Sequence, residues 1–296
     1  VSESSELFAQ FSRARVAGLF VHPIKSAAPI PVESLALDDR GAVGDRRWLV
    51  IDDDGMQITA RETAALAMVR PLFTVVGTAT VAPRNADGPI WVEAPGLQRL
   101  RIHIPTTPAK RTVQVWNDQV EAHDAGDVAA EWMSDALRRR CRLVRLSESA
   151  QRPLAAKYSG ALPSAGRRVA FSDGAPLLLL GQASINALNA RLTTEGAEPM
   201  SVGRFRPNVL LANGKPHEED TWTRVRIGNV LLGVGKPCER CVMTTIDPIT
   251  GVKGVEPLRT LATYRRSNGH VMFGMNATHE KPGTIYLGDR VALETA

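Results

Sequence analysis

The sequence is poor in cysteine and aromatic residues and has no long apolar run. Only three cysteines occur in 296 residues. They cannot all pair internally, and Cys141 lies far from Cys238 and Cys241, which argues against a secreted disulfide framework. No apolar run reaches the roughly 18 to 20 residues that a membrane-spanning helix needs. The first fifteen residues lack the basic-then-apolar order of a signal peptide, so the expected location is cytoplasmic, without a membrane partner. Neither a P-loop lysine nor a GxGxxG order is present. Lys and Arg number 36 against 31 Asp and Glu, a formal charge of +5. That excess is too mild to imply nucleic acid, but it suits a phosphate-bearing ligand or an acidic protein partner.

The residues that are there read as strands more often than helices. Short stretches with strand character recur at Val16–Val21, Trp48–Ile51, Leu72–Val76, Ile90–Val92 and Leu100–Ile104, separated by turn signals such as Asp53-Asp-Gly55 and Asn85-Ala-Asp-Gly88. Strands return at Val209–Leu211, Val225–Ile227, Val230–Val234 and Thr284–Leu293. Helical spacing is confined to Asp127–Arg140, with Val128, Trp132, Met133 and Leu137 in phase, and to Gln182–Leu192, with Ile185, Leu188 and Leu192 on one face. Residues 142–168 are rich in Ser, Pro, Ala, Gly and Arg and have no sustained period, as a linker or flap would. The six histidines show no ligand spacing and read as surface or core. Trp48, Trp91, Trp116, Trp132 and Trp222 are scattered, which suits packing better than a base-stacking platform.

The segment richest in chemistry is Lys236-Pro-Cys-Glu-Arg-Cys-Val-Met-Thr-Thr-Ile-Asp-Pro248, which reads as a loop introduced by proline. Structural zinc would need two more soft ligands, and none stands at motif spacing. A thioredoxin-type dithiol would want its CxxC at the start of a helix after a strand. A single thiolate on a soft, high-valent metal is the third reading, with Arg240 easing the charge on the sulfur.

The run C-x-R-C-x-x-T-T-x-D-P, with Phe205-Arg-Pro-Asn208 about thirty residues before it, resembles the C-terminal half of MOSC-domain proteins of the amidoxime-reducing branch. The likeness extends to His22-Pro-Ile-Lys-Ser26, Gly44-Asp-Arg-Arg-Trp48, Thr59-Ala-Arg-Glu62, Phe171-Ser-Asp173 and Pro282-Gly283 with Gly288-Asp289. It covers nearly the whole chain from about residue 14. The fold it implies is mixed and β-dominated: a flexible start (1–13), a MOSC N-terminal β-barrel-like domain (14–141), a linker or flap (142–168) and a MOSC β-barrel with peripheral helices (169–296).

The resemblance also implies a molybdenum cofactor, molybdenum on molybdopterin, with Cys241 as metal ligand and catalytic residue. Lys25, Ser26, Arg46, Asp173, Gly174, Arg206, Asn208 and Arg240 map onto the cofactor-binding set. Cationic forks, a hydroxyl and amide groups suit a ligand with a fused polar ring and a phosphate. At the position after Asp173 the family usually carries a hydroxyl residue, whereas this chain has Gly174. Arg61 and Asp247 are candidates for the substrate pocket or for an ordinary salt bridge or turn cap.

The implied activity is reduction of N-hydroxylated compounds, including amidoximes, hydroxylamines, N-hydroxylated nucleobases and N-oxides, by oxygen transfer at molybdenum. Some relatives carry an iron–sulfur domain, but no cysteine follows Cys241, so electrons are expected from a separate flavodoxin-, ferredoxin- or cytochrome b5-type donor and its reductase. The enzyme itself is expected to be a monomer. A cofactor carrier or storage protein, or a sulfur carrier using Cys238 and Cys241, is the alternative.

Overall fold

The structure is a computed structural model and describes residues 10–73, 88–105 and 109–294. The chain opens with β1 (Gln10–Val21), β2 (Ile30–Val32), β3 (Ser34–Asp38), β4 (Gly41–Ala42) and β5 (Trp48–Ile51). Three short strands, β6 (Arg70–Leu72), β7 (Ile90–Glu93) and β8 (Leu100–Ile102), form a small antiparallel sheet. The hairpin of β9 (Lys110–Val115) and β10 (Asp118–Asp124) joins β11 (Arg142–Leu146) and β5 in a four-stranded sheet, and α1 (Asp127–Leu137) connects β10 to β11.

The C-terminal half supplies β12 (Leu177–Gly181), α2 (Gln182–Thr194), β13 (Val209–Ala212), β14 (Arg224–Ile227), β15 (Val230–Arg240), α3 (Leu258–Tyr264), β16 (Arg266–Ser267), β17 (His270–His279), β18 (Gly283–Tyr286) and β19 (Arg290–Leu293). Strand neighbours run β12-β13-β1-β19-β14-β15-β17, and β17 pairs back onto β12. Seven strands therefore close into a barrel, leaving no free edge along that ring. One of the seven, β1, comes from the start of the chain, with Arg15 opposite Ala212 on one side and Arg290 on the other.

Alternation accounts for the barrel interior. Val16, Leu177, Leu179, Val209, Leu211, Val225, Ile227, Leu232 and Ala277 are all buried in one core, as period-two strands with one inward face require. Leu180 and Leu210 point the other way and pack with Ile185, Leu188 and Leu192 of α2 against Phe205 and Phe273. A separate core forms where Leu49, Ile51, Val113, Val115, Val144 and Leu146 meet in the four-stranded sheet. The fold is thus β-dominated with three α-helices among the described residues.

Several elements differ from their sequence reading for physical reasons. Helix α1 stops at Leu137 and not at Arg140, because Arg138 takes a left-handed backbone and the Arg139 N–H closes on the Ser134 carbonyl at 3.1 Å. The stretch Thr284–Leu293 is two strands split by the turn at Gly288. Residues 74–76 of the stretch Leu72–Val76, and Asn85 to Asp87 of one turn signal, lie outside the described residues. The first part of the cysteine motif is strand and not loop: β15 runs through Lys236-Pro-Cys238 to Arg240, with register shifts on either side of Pro237. A bulge is where a strand accommodates a residue that lacks an N–H.

Residues 152–171 are docked on the barrel. The Arg152 guanidinium is buried, donating to the carbonyls of Ala170 and Ser172 and to Asp118. The backbone at Tyr158 and Ser159 lies so close to β15 that a Cβ on Gly235 or Gly233 would sit 2.8 or 2.7 Å from their carbonyl oxygens. The two glycines of Gly233-Val-Gly235 leave the room that this strap fills.

Candidate functional site

Cys241 follows the last residue of β15 and precedes a single 3-10 turn, Val242–Thr245. Its carbonyl accepts from the Thr244 N–H at 3.1 Å and the Thr244 hydroxyl at 3.0 Å, which fixes the cysteine's backbone at the turn. Cys241 lines a cleft whose empty space, open mouth included, is about 860 Å³. The nine residues singled out from the sequence, Lys25, Ser26, Arg46, Asp173, Gly174, Arg206, Asn208, Arg240 and Cys241, all line this one cleft, and so does Arg61. Asp247 does not; it pairs at 2.9 Å with Arg204, which does.

The cleft wall is cationic and its groups are held by backbone. Lys25 is positioned by its N–H on the Trp48 carbonyl at 2.9 Å, and its ammonium donates to the Phe171 carbonyl at 2.7 Å and to Asp173. Burial pulls the Lys25 pKa down to about 8, partly offset by the neighbouring Asp173 carboxylate. Asp173 faces the opposite balance: desolvation in the cleft works against its charge, but Lys25 and Arg61 prevail and hold its carboxyl well below the usual range. Its side chain is 59% exposed at the mouth, so this pairing is a matter of local charge and not of a dry interior.

Arg61 reaches the cysteine directly, donating from Nε to Cys241 Sγ at 3.2 Å, with its Nη2 3.4 Å from Asp173. Burial pulls the Arg206 pKa down to about 9, helped by the like charge of Arg46. Arg206 Nη1 donates to the Ala27 carbonyl at 2.5 Å, while its Nη2 is buried without a partner. Arg240 spends Nε on the Phe273 carbonyl and Nη1 on the Phe205 carbonyl, at 2.7 and 2.9 Å, and also leaves Nη2 buried and unpartnered. Burial pushes the Cys238 thiol up, against the pull of Arg240, so Cys238 is a neutral wall group.

Three of the lining residues carry left-handed backbones: Ser26 (φ 71), Arg46 (φ 49) and Arg206 (φ 56). Such conformations cost side-chain-bearing residues on the order of 1–3 kcal/mol and persist only where the surroundings impose them. Here the surroundings are a buried polar hub. The Asp45 carboxylate accepts from the His22 N–H at 2.7 Å, from Asn208 Nδ2 at 3.1 Å and from Arg46. The Arg46 N–H donates to the His22 carbonyl at 2.7 Å, and the His22 ring, kept neutral by burial and by Arg206 and Arg46, meets the Pro207 carbonyl. Asp45 and His22 stand inside the matched motifs, yet nothing in their residue types marked them as supports.

Trp116 was also missed by sequence reading, which placed it in packing. It stands at the tip of the β9–β10 hairpin, 41% exposed, with its indole N–H on Asp173 at 3.0 Å. Gly174 has a local explanation as well: a Cβ there would come within 2.2 Å of the Tyr158 ring. The phenol side chain of the strap occupies the space that any larger residue would need.

The arrangement offers the Cys241 thiol with Cys238 beside it in the wall, a rim of guanidinium and ammonium groups, and the buried, unpartnered Nη2 groups of Arg206 and Arg240, a donor set for an anionic, oxygen-rich ligand. Among the described residues no group of three or more His, Cys, Asp or Glu could hold a metal ion. Known proteins show the same lineage. Residues 13–140 match the family model of the MOSC N-terminal beta barrel domain, and residues 166–292 that of the MOSC domain. The chain is 33% identical over 293 residues to mitochondrial amidoxime-reducing component 1 of Homo sapiens, covering 94% of this chain and 82% of that protein. It is 34% identical over 292 residues to the Mus musculus counterpart, with the same coverage. The molybdenum cofactor sulfurase of Oryza sativa subsp. japonica is 29% identical over 276 residues, 88% of this chain but 32% of that longer protein. With both domain models matched and this similarity running along almost its whole length, the chain belongs to the MOSC-domain family.

Proposed function

We propose that the protein is a molybdenum-cofactor-dependent reductase of N-hydroxylated compounds in which Cys241 supplies the protein sulfur to the metal. The observation that carries this reading is the convergence of Cys241, whose sulfur accepts from Arg61, and a cationic, polar wall in one cleft. With no three-ligand cage among the described residues, a metal seated at Cys241 would rely on ligands of its own cofactor, which a pterin dithiolene provides. The names of the relatives, an amidoxime-reducing component and a molybdenum cofactor sulfurase, support the same chemistry.

The residues present fit such a group. Lys25, Arg46, Arg206 and Arg240 would hold its phosphate and pterin oxygens, Ser26 would donate a hydroxyl, and Asp173 would accept from ring N–H groups. The buried, unpartnered Nη2 atoms of Arg206 and Arg240 are the spare donors that a bound oxygen ligand would satisfy. When bound, the cofactor supplies two-electron oxygen-atom transfer at the metal. This chain's residues hold it, keep Cys241 fixed on its turn, and place Arg61 and Asp173 at the mouth where a polar N–OH group enters. Overall the N–O bond breaks, two electrons and two protons are consumed, and the amine or amidine leaves with one water. The electrons come from a separate flavodoxin-, ferredoxin- or cytochrome b5-type donor, and the enzyme acts as a cytoplasmic monomer.

The test is conversion of benzamidoxime to benzamidine by protein purified from cofactor-producing cells, with reduced methyl viologen as donor. Turnover that disappears in Cys241→Ala supports the reading. Protein that holds molybdenum but never turns over is a carrier or storage protein, and labile sulfide on Cys241 without reduction indicates a sulfur carrier.

A further inference from the structure

Trp116 is the first of the two residues, Trp116 and Asn117, that join β9 to β10, where Val115 pairs with Asp118. Its backbone is left-handed, φ 55, at a position that two-residue hairpins usually give to glycine. A bulky residue in that conformation is strained, and strain of this kind collects where a side chain has work at a site. Core packing does not explain the indole's presence, because 41% of the residue stays open to solvent.

Its contacts all lead to the cleft. The indole N–H donates to Asp173 Oδ1 at 3.0 Å, the Arg61 guanidinium lies 4.5 Å from the ring centroid, and the Lys25 ammonium lies 5.8 Å from it. Arg61 in turn donates to Cys241 Sγ. Arg61 therefore bridges the indole ring and the Cys241 sulfur.

The platform is also rigidly mounted. The hairpin is tied to the neighbouring loop by Gln57 N–H on the Gln114 carbonyl at 3.1 Å and Gln114 N–H on the Gly55 carbonyl at 2.9 Å. The Gln114 amide donates to the Trp116 carbonyl at 2.6 Å. That same loop continues into Thr59-Ala-Arg61, so Trp116 and Arg61 share one support.

We propose that Trp116 is the aromatic wall of a substrate subsite that selects planar, conjugated N-hydroxylated compounds over aliphatic ones. The inference rests on the reductase reading above. Asp173 and Arg61 hold the ring in place before a ligand arrives, so a flat ligand meets the exposed part of the indole without first ordering the platform. An aliphatic N–OH compound reaches the same polar groups but gains nothing from the indole.

The experiment is calorimetric titration of oxidised, cofactor-loaded protein without any electron donor, so that ligands bind but do not react. The probes are benzamidoxime and acetamidoxime. Trp116→Ala is expected to weaken benzamidoxime about tenfold while acetamidoxime stays within about twofold, and Trp116→Phe to retain most of the affinity. In turnover, Trp116→Ala should raise KM for benzamidoxime with kcat kept. An equal loss for both compounds, or no loss for either, overturns the aromatic wall. Wild-type protein that binds molybdenum yet reduces neither compound overturns the reductase reading itself, a result separable from the other because it appears before any substitution is made.

Discussion

Asn208 donates from Nδ2 to Asp45 Oδ1 at 3.1 Å, and both side chains are buried. The same amide donates to the Phe20 carbonyl at 3.2 Å, while its Oδ1 accepts from the Leu178 N–H at 3.2 Å and from Arg46 at 3.3 Å. Asn208 thus ties β1, β12 and the Asp45-Arg46 segment together. It shapes the cleft by holding Arg46 and the peptide at Leu178, and its hydrogen-bonding capacity is already filled by the protein.

Asn208→Ala should therefore destabilise the protein before any cofactor is bound. Leaving these buried partners unsatisfied is expected to cost on the order of 2–4 kcal/mol. Thermal unfolding of the cofactor-free variant checks this; an unchanged Tm would mean that the amide acts only on a ligand.

Lys25 gives a pH signature. Its pKa is about 8 in the fold against 10.5 for the free side chain, so between those values the unfolded chain binds more protons. Stability must then rise with pH through that window: the cost of burying the charge is full below about pH 8 and is relieved as pH climbs to 10.5. The ramp amounts to about 3 kcal/mol. In cofactor-free protein, denaturant unfolding of wild type minus Lys25→Met from pH 7.5 to 10.5 should show it, and a flat difference would contradict the buried charge.

Gly174→Ser tests the strap. The new Cβ would meet Tyr158 ring carbons at 2.2 to 2.7 Å, so the substitution should cost about 1–2 kcal/mol with Tyr158 present. In a Tyr158→Ala background the cost should largely vanish, a coupling that a double-mutant cycle reads directly. Equal costs in both backgrounds would show that the ring moves freely aside.

Much of this site was legible because its chemistry is carried by short runs: Lys25-Ser26, Arg46, Arg206 with Asn208, and Arg240 with Cys241 each sit inside a motif, and the fold brings all of them to one cleft. What stayed hidden has no local signal. Trp116 gains its place from a hairpin of polar strands, β9 and β10, whose alternation is blurred by exposed Lys110, Arg111 and Thr112. Strand β17 was missed for a similar reason, since His270-Val-Met-Phe-Gly-Met-Asn-Ala-Thr-His279 mixes apolar and polar residues without a clean period. The strap at Tyr158 reads as a linker because its buried apolar residues, such as Leu154 and Leu162, stand too far apart to show a period. The closing of the barrel by β1 is a long-range pairing that no window of sequence can show.

Metal and pterin analysis decides whether Cys241 is the protein's ligand to a molybdenum cofactor. Wild type and Cys241→Ser should be purified side by side from cells that make the cofactor. The expected result is about one molybdenum and one pterin per wild-type chain, with pterin retained in the variant through its cationic wall and N-reduction lost. Wild-type protein that holds neither molybdenum nor pterin, even after reconstitution, would contradict that role of Cys241.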